Sequence, residues 1–143
     1  MIQIHGNYQF FYSNIKLSRL EDCLILMCSE YKKREVKAAN IILLNDEAIR
    51  DINNESLGHD YYTDIITFDL SEDLFHVETD IYISFERVKE NAQTNHESNK
   101  TELLRVVFHG FLHLMGLKDK TKLESNNMRK AENKYINLYL NGK

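Results

Sequence analysis

Residues 99 to 115 place Leu103, Leu104, Val107, Phe108, Phe111 and Leu114 around most of a helical circumference. A helix that apolar has little surface to give to water, so the rest of the chain must pack around it. Two histidines, His109 and His113, interrupt the apolar pattern. Residues four apart on a helix project from one face, so these two imidazoles can bind one metal ion together. Gly116 can adopt the left-handed conformation that ends a helix and turns the chain back. Such a turn can bring Asp119 to the same ion as a third ligand. Three protein ligands and an open fourth position make a catalytic metal site rather than a closed structural one.

The elements around this helix read in order. A short first strand is expected within residues 2 to 12. Ser18-x-x-Glu21 reads as a capping box opening an amphipathic helix that ends near Lys33. Residues 36 to 44, with Ile41, Ile42, Leu43 and Leu44, read as a buried strand. Asn45 or Asp46 then caps a helix to about Asn54, and Leu57-Gly58-His59-Asp60 follows as a loop. Two further strands are expected near 65 to 70 and 79 to 84. Ser84 caps a helix to about Asn95, and Thr121-x-x-Glu124 is a second capping box, starting a terminal helix to about Leu140. The order predicts one α+β domain over residues 1 to 143, a small mixed sheet packed with about five helices, the histidine-bearing helix at its centre.

The 143 residues carry a net charge of −4, unevenly spread. Residues 101 to 143 hold eight Lys+Arg against four Asp+Glu, so the end bearing the histidines is basic and open to a polyanion. Signal sequences and long apolar runs are absent from the pattern, which predicts a cytoplasmic protein with no membrane partner. Cys23 and Cys28 match no common zinc spacing and read as reduced packing residues. His5, His76 and His96 have no partner spacing and read as structural or surface residues. Asp64 and Asp80 read as ordering the loops beside the sheet, and Ser84 as a helix cap rather than a nucleophile.

In zinc proteases a glutamate follows the first histidine and activates the metal-bound water. Gly110 occupies that position and offers no base. Hydrolysis remains accessible, because a metal alone lowers the pKa of its bound water. Substrates in which charge stabilisation and positioning dominate are favoured, phosphodiesters among them.

Residues 109 to 119 resemble the segment His-Gly-x-Leu-His-Leu-x-Gly-x-Asp-His of the bacterial YbeY-type endoribonucleases. Leu57-Gly58-His59-Asp60-Tyr61-Tyr62-Thr63-Asp64-Ile65-Ile66-Thr67-Phe68 is similar to that family's loop and strand of Arg-Gly-Lys-Asp-x-Pro-Thr-Asp-Val-Leu-Ser-Phe type. Asp80-Ile81-Tyr82-Ile83-Ser84 resembles its Asp-Ile-x-Ile-Ser strand, and Met128 and Glu132 match residues of its terminal helix. The resemblance runs from about residue 40 to 135 in order and register.

Two departures stand out. Asp119 falls where the family has a third histidine ligand, with Lys118 one place earlier. Aspartate is a competent zinc ligand, but its harder, anionic oxygen lowers the charge of the bound site and shifts preference toward harder ions. Leu57 falls where the family has an arginine that engages RNA phosphate; His59, Lys118 and Lys120 are the candidates to compensate.

The resemblance implies a metal-dependent endoribonuclease specific for single strands. Such an enzyme acts in ribosomal RNA maturation, notably at the 3′ end of the 16S RNA, and in ribosome quality control. His109, His113 and Asp119 would hold one Zn²⁺, another divalent metal being admissible at Asp119. No catalytic side chain beyond a metal-bound water is identified, so that water or the RNA's own 2′-hydroxyl attacks. Ribosomal subunits and assembly factors are the implied partners. The rival readings are a metallopeptidase or other metal-dependent hydrolase, and a non-catalytic ribosome-associated factor with a degenerate site.

Overall fold

The computed structural model describes residues 2–6, 14–32, 34–58 and 63–142. Among these, strand β1 (Ile2–His5) is followed by helix α1 (Leu17–Lys32), strand β2 (Glu35–Leu44), helix α2 (Asp46–Leu57), and strands β3 (Ile65–Asp69) and β4 (His76–Ser84). Helices α3 (Phe85–Thr94), α4 (Asn99–Leu114) and α5 (Lys122–Asn141) complete the chain. The strands form one mixed sheet in the order β1-β2-β4-β3, with β1, β2 and β4 parallel and β3 antiparallel on the edge. The α+β architecture with five helices is as the sequence predicts.

Alternation fixes which face of the sheet is covered. Ala39, Ile41 and Leu43 of β2 pair in register with Thr79, Ile81 and Ile83 of β4, and all six are buried. Their neighbours Asn40 and Asp80 point to the other face, where the Asn40 side chain donates to Asp80 Oδ1 at 3.1 Å. Because side chains alternate along a strand, this register commits one whole face to the helices. Helix α4 lies there, touching α1, α3, α5, β3 and β4. Ten of its sixteen residues are buried, which makes it the central helix of the fold.

The helix ends follow local chemistry. Asn45 Oδ1 accepts from Ala48 N at 2.8 Å, and Gly58 (φ +69°) closes α2 three residues beyond the expected Asn54. Leu57 is therefore the last helical residue, not part of a loop. His59 and Asp60 lie outside the described residues. Ser84 Oγ accepts from Arg87 N and caps α3, while its own hydroxyl donates to Asp46 Oδ1 at 2.5 Å. Ser98 caps α4. Both halves of the Thr121–Glu124 capping box form at the start of α5.

Three expectations need correction. Ser18 sits inside α1, which begins at Leu17, and Glu21 does not complete a capping box. Its Oε2 accepts instead from Ile2 N at 3.2 Å, tying α1 to β1. Strand β4 begins at His76 rather than 79, because Asp73 Oδ1 accepts from the Phe75 and His76 amides and turns the chain early into pairing. Asp80 lies within the strand and bonds Asn40 rather than ordering a loop. Cys23 and Cys28 are free and buried, as packing residues are.

Candidate metal centre

The end of α4 builds the site. Leu117 N donates to Leu112 O at 3.0 Å and Gly116 N to His113 O at 2.9 Å, the paired bonds of a Schellman turn. Gly116 sits at φ +97°, a conformation that side chains rarely tolerate, and so reverses the chain within three residues. That reversal returns Asp119 to the face of α4 that carries both histidines.

His109, His113 and Asp119 each bring one ligand atom into a cluster spanning no more than 4.8 Å. The two Nε2 atoms are 3.0 Å apart, and Asp119 Oδ2 is 3.2 Å from His109 Nε2 and 3.4 Å from His113 Nε2. Tetrahedral ligation of zinc with bonds of about 2.0–2.1 Å separates donor atoms by about 3.3 Å. The three donors are thus already at the mutual spacing such an ion requires.

Both imidazoles are turned by bonds on their far side. His109 Nδ1 lies 2.7 Å from Glu132 Oε2, and His113 Nδ1 lies 2.9 Å from the Leu117 carbonyl oxygen. Neither partner can donate, so each Nδ1 carries the proton and each Nε2 presents a lone pair to the cluster. Two lone pairs and a carboxylate oxygen facing one another at 3.0–3.4 Å repel unless a positive charge lies among them. Burial works against a charged His109, but Glu132, with Asp119 and Asp64 beyond it, outweighs that and holds its pKa above the ordinary value. The surroundings of the cluster therefore favour a cation.

Behind His109 lies a buried charged assembly. Glu132 (4 % exposed) gives its second oxygen to Arg105 Nη1 at 3.4 Å. Arg105 is pinned in turn by Asn133 Oδ1 at 2.8 Å and Glu97 Oε1 at 2.8 Å. Glu102 is also buried, its Oε1 3.9 Å from Arg105 Nε, and burial pushes its carboxyl up to about 7. A cleft opens beside this assembly, walled by His109, Asp64, Asn91, Asn95 and Arg129. Burial also raises the Asp64 pKa, and the Asp64 carbonyl accepts from Ser84 N at 2.9 Å, joining β3's entry to β4.

Gly110 has a second reason to lack a side chain. A Cβ there would lie 2.8 Å from Ile65 Cδ1 and 2.9 Å from Thr67 Oγ1, because α4 presses directly on β3. A side chain at 110 would meet the sheet on which α4 rests.

Of the residues the sequence singles out, the cluster unites His109, His113 and Asp119. Lys118 and Lys120 are exposed beside Asp119 and do not line the cleft. His59 lies outside the described residues. Leu57 is 48 % exposed at the end of α2. His5 bonds Asn40 and His76 bonds Asp73, both at the surface. Sequence reasoning gives no role to Arg105, Glu102 or Arg129, and it marks Glu132 only by resemblance. A signal for part of this set exists: Glu102, Arg105, His109 and His113 are spaced 3, 4 and 4 along an otherwise apolar helix. That is a single polar stripe facing the site.

An α+β fold whose central helix presents an open cluster of two imidazoles and a carboxylate defines a protein equipped for metal-assisted chemistry. The family model of endoribonuclease YbeY matches residues 9–139. An endoribonuclease YbeY from Cytophaga hutchinsonii is 49% identical over 107 residues, covering 75% of each chain. One from Christiangramia forsetii is 41% identical over 139 residues, covering 94% of this chain and 95% of its own. The solution structure of TM1509 from Thermotoga maritima matches with a TM-score of 0.65 at 28% identity, covering 99% of this chain and 91% of the other. The chain belongs to the YbeY endoribonuclease family.

Proposed function

We propose that this protein is a metal-dependent endoribonuclease that cuts single-stranded RNA and acts in the maturation of ribosomal RNA. The observation that carries the reading is the convergence of His109 Nε2, His113 Nε2 and Asp119 Oδ2 at 3.0–3.4 Å, with both Nδ1 atoms held elsewhere. These three residues would hold one ion, and two imidazoles favour Zn²⁺ while the carboxylate admits harder divalent metals. When bound, the ion supplies a Lewis acid for charge developing on the scissile phosphate and acidifies water at neutral pH.

The chain's own residues do the rest. Glu132 and the Leu117 carbonyl fix the orientation and tautomer of the imidazoles, so that little reorganisation is needed at the moment of reaction. Arg105 holds Glu132 in place from its other oxygen. Asp119 and His113 are both more than a third exposed at the side chain, which leaves the cluster open to a polymer lying across it.

Family membership favours RNA as the substrate, and the 3′ end of the small-subunit RNA is the reading's specific target. Ribosomal particles and their assembly factors are the partners that follow from such a target, with the cytoplasm as the setting. Among the described residues, no helix is long and apolar enough to cross a membrane. A peptidase is disfavoured, since position 110 faces Ile65 and Thr67 and has no room for the usual glutamate base.

Incubating purified protein with zinc and separate single-stranded RNA, duplex RNA and unfolded protein substrates tests the proposal. Internal cuts in the single strand, lost in His109→Ala and His113→Ala, are expected. Cleavage of protein with RNA intact would overturn it.

A further inference from the structure

Leu57 removes the cation that the family resemblance leads one to expect for RNA phosphate, and an exposed leucine cannot replace it. The cleft beside His109 contains a different one. Arg129, on α5, lines that cleft together with His109, Asn91 and Asn95. Its side chain is 54 % exposed, and its Nη1 lies 3.8 Å from Glu132 Oε1, too far for a hydrogen bond. The guanidinium is therefore held at the cleft wall by a loose ion pair that takes up none of its N–H groups in a hydrogen bond.

Asp64 also lines the cleft, its carboxyl raised by burial, and the other charges there are committed to one another. Glu132 gives one oxygen to His109 and the other to Arg105. Arg105 borders the same cleft but is only 8 % exposed, with its donors taken by Glu97, Asn133 and Glu132. Glu102 is only 4 % exposed. Lys118 and Lys120 stand on the neighbouring loop and do not line the cleft. Among the described cationic side chains that line the cleft, Arg129 is the exposed one, and its planar fork matches a phosphate's oxygens in a way that a lysine's point charge does not.

The geometry points to Arg129 as a substrate-binding residue: it contacts a backbone phosphate of single-stranded RNA next to the one at the His109–His113–Asp119 cluster, with the intervening nucleotide in the Asn91–Asn95 cleft. This rests on the endoribonuclease reading and adds the strand's path. The strand runs from the cluster past His109 toward α5, not toward α2 and Leu57.

Two measurements on the full-length protein test it. Fluorescence anisotropy with a labelled single-stranded RNA and chelator-stripped protein reads binding without turnover. Steady-state kinetics of the zinc-loaded protein separate KM from kcat. Arg129→Ala should weaken binding by about tenfold, as loss of a charge-assisted contact does. It should reduce the slope of log affinity against log salt by about 0.7, the value for one phosphate on a single strand. KM should rise with zinc content unchanged, and Arg129→Lys should recover only part of the loss. Lys130→Ala, an equal change of charge on the neighbouring exposed position, should change binding by less than about twofold.

Equal losses in Arg129→Ala and Lys130→Ala would overturn the proposal in favour of a diffuse charge effect. Lower zinc content with RNA binding intact would overturn it in favour of a purely structural role through Glu132. Failure of the wild-type protein to cut RNA, with Arg129-dependent binding retained, would instead remove the endoribonuclease reading and leave the binding site standing.

Discussion

Glu132 Oε2 lies 2.7 Å from His109 Nδ1, joining the terminal helix to the central one through the residue that faces the cluster. A carboxylate on the far nitrogen of a metal-binding imidazole fixes its tautomer and raises its basicity. Glu132→Gln keeps the size but leaves an amide to face both an N–H of His109 and the Arg105 guanidinium. Zinc affinity should fall by about 10- to 100-fold, the range for such outer partners, as read by competition with a chromophoric chelator. Wild-type affinity would mean that Glu132 serves packing alone.

Gly110→Ala should destabilise the fold by about 1–3 kcal/mol, the usual cost of an overfilled core. The new Cβ would meet Ile65 and Thr67 at under 3.0 Å, and both are side chains that must shift for α4 to stay on β3. Urea unfolding of the metal-free protein gives the number. A neutral result would show that β3, an edge strand, yields without cost.

Glu102 gives a pH prediction. Its carboxyl is raised to about 7 by burial, from an ordinary 4.5. In this window the folded state holds a proton that the unfolded state has released, so stability is full below about pH 4.5 and is lost as pH rises through about 7. Glu102→Gln cannot ionise and should remove that part of the decline. The stability difference between variant and wild type, metal-free, should therefore move in favour of the variant between pH 5 and 7. A difference independent of pH would place the Glu102 carboxyl at its unfolded value.

Asp119→His replaces a hard anionic donor by a softer neutral one at the same vertex of the cluster. The ratio of zinc to manganese affinity should rise by about tenfold or more, since imidazole suits zinc and carboxylate suits manganese. An unchanged ratio in titrations of both metals would remove Asp119 from the ligand set.

The sequence was legible where one local rule decides the outcome. The i, i+4 histidines, the Gly116 reversal and the Thr121 capping box each depend on a few adjacent residues, and each forms as read. It was misleading at Ser18, where a capping pattern met a helix already begun at Leu17, and Glu21 found a better partner in the backbone of β1. It was silent on Arg105 and Arg129, whose roles arise only when α5 packs beside α4. Long-range pairs such as Arg105–Asn133 leave no spacing to recognise. Gly110 was half legible: the missing base shows in the sequence, whereas the close contact with β3 needs the fold.

The most direct test strips the protein of metal and titrates zinc back while following cleavage of a single-stranded RNA, in wild type and His113→Ala side by side. Activity should return in the wild type and saturate at one equivalent of zinc, and the variant should stay inactive at the same metal concentration. Full cleavage by the stripped wild type, or equal recovery in His113→Ala, would contradict a metal-dependent site built on His109, His113 and Asp119.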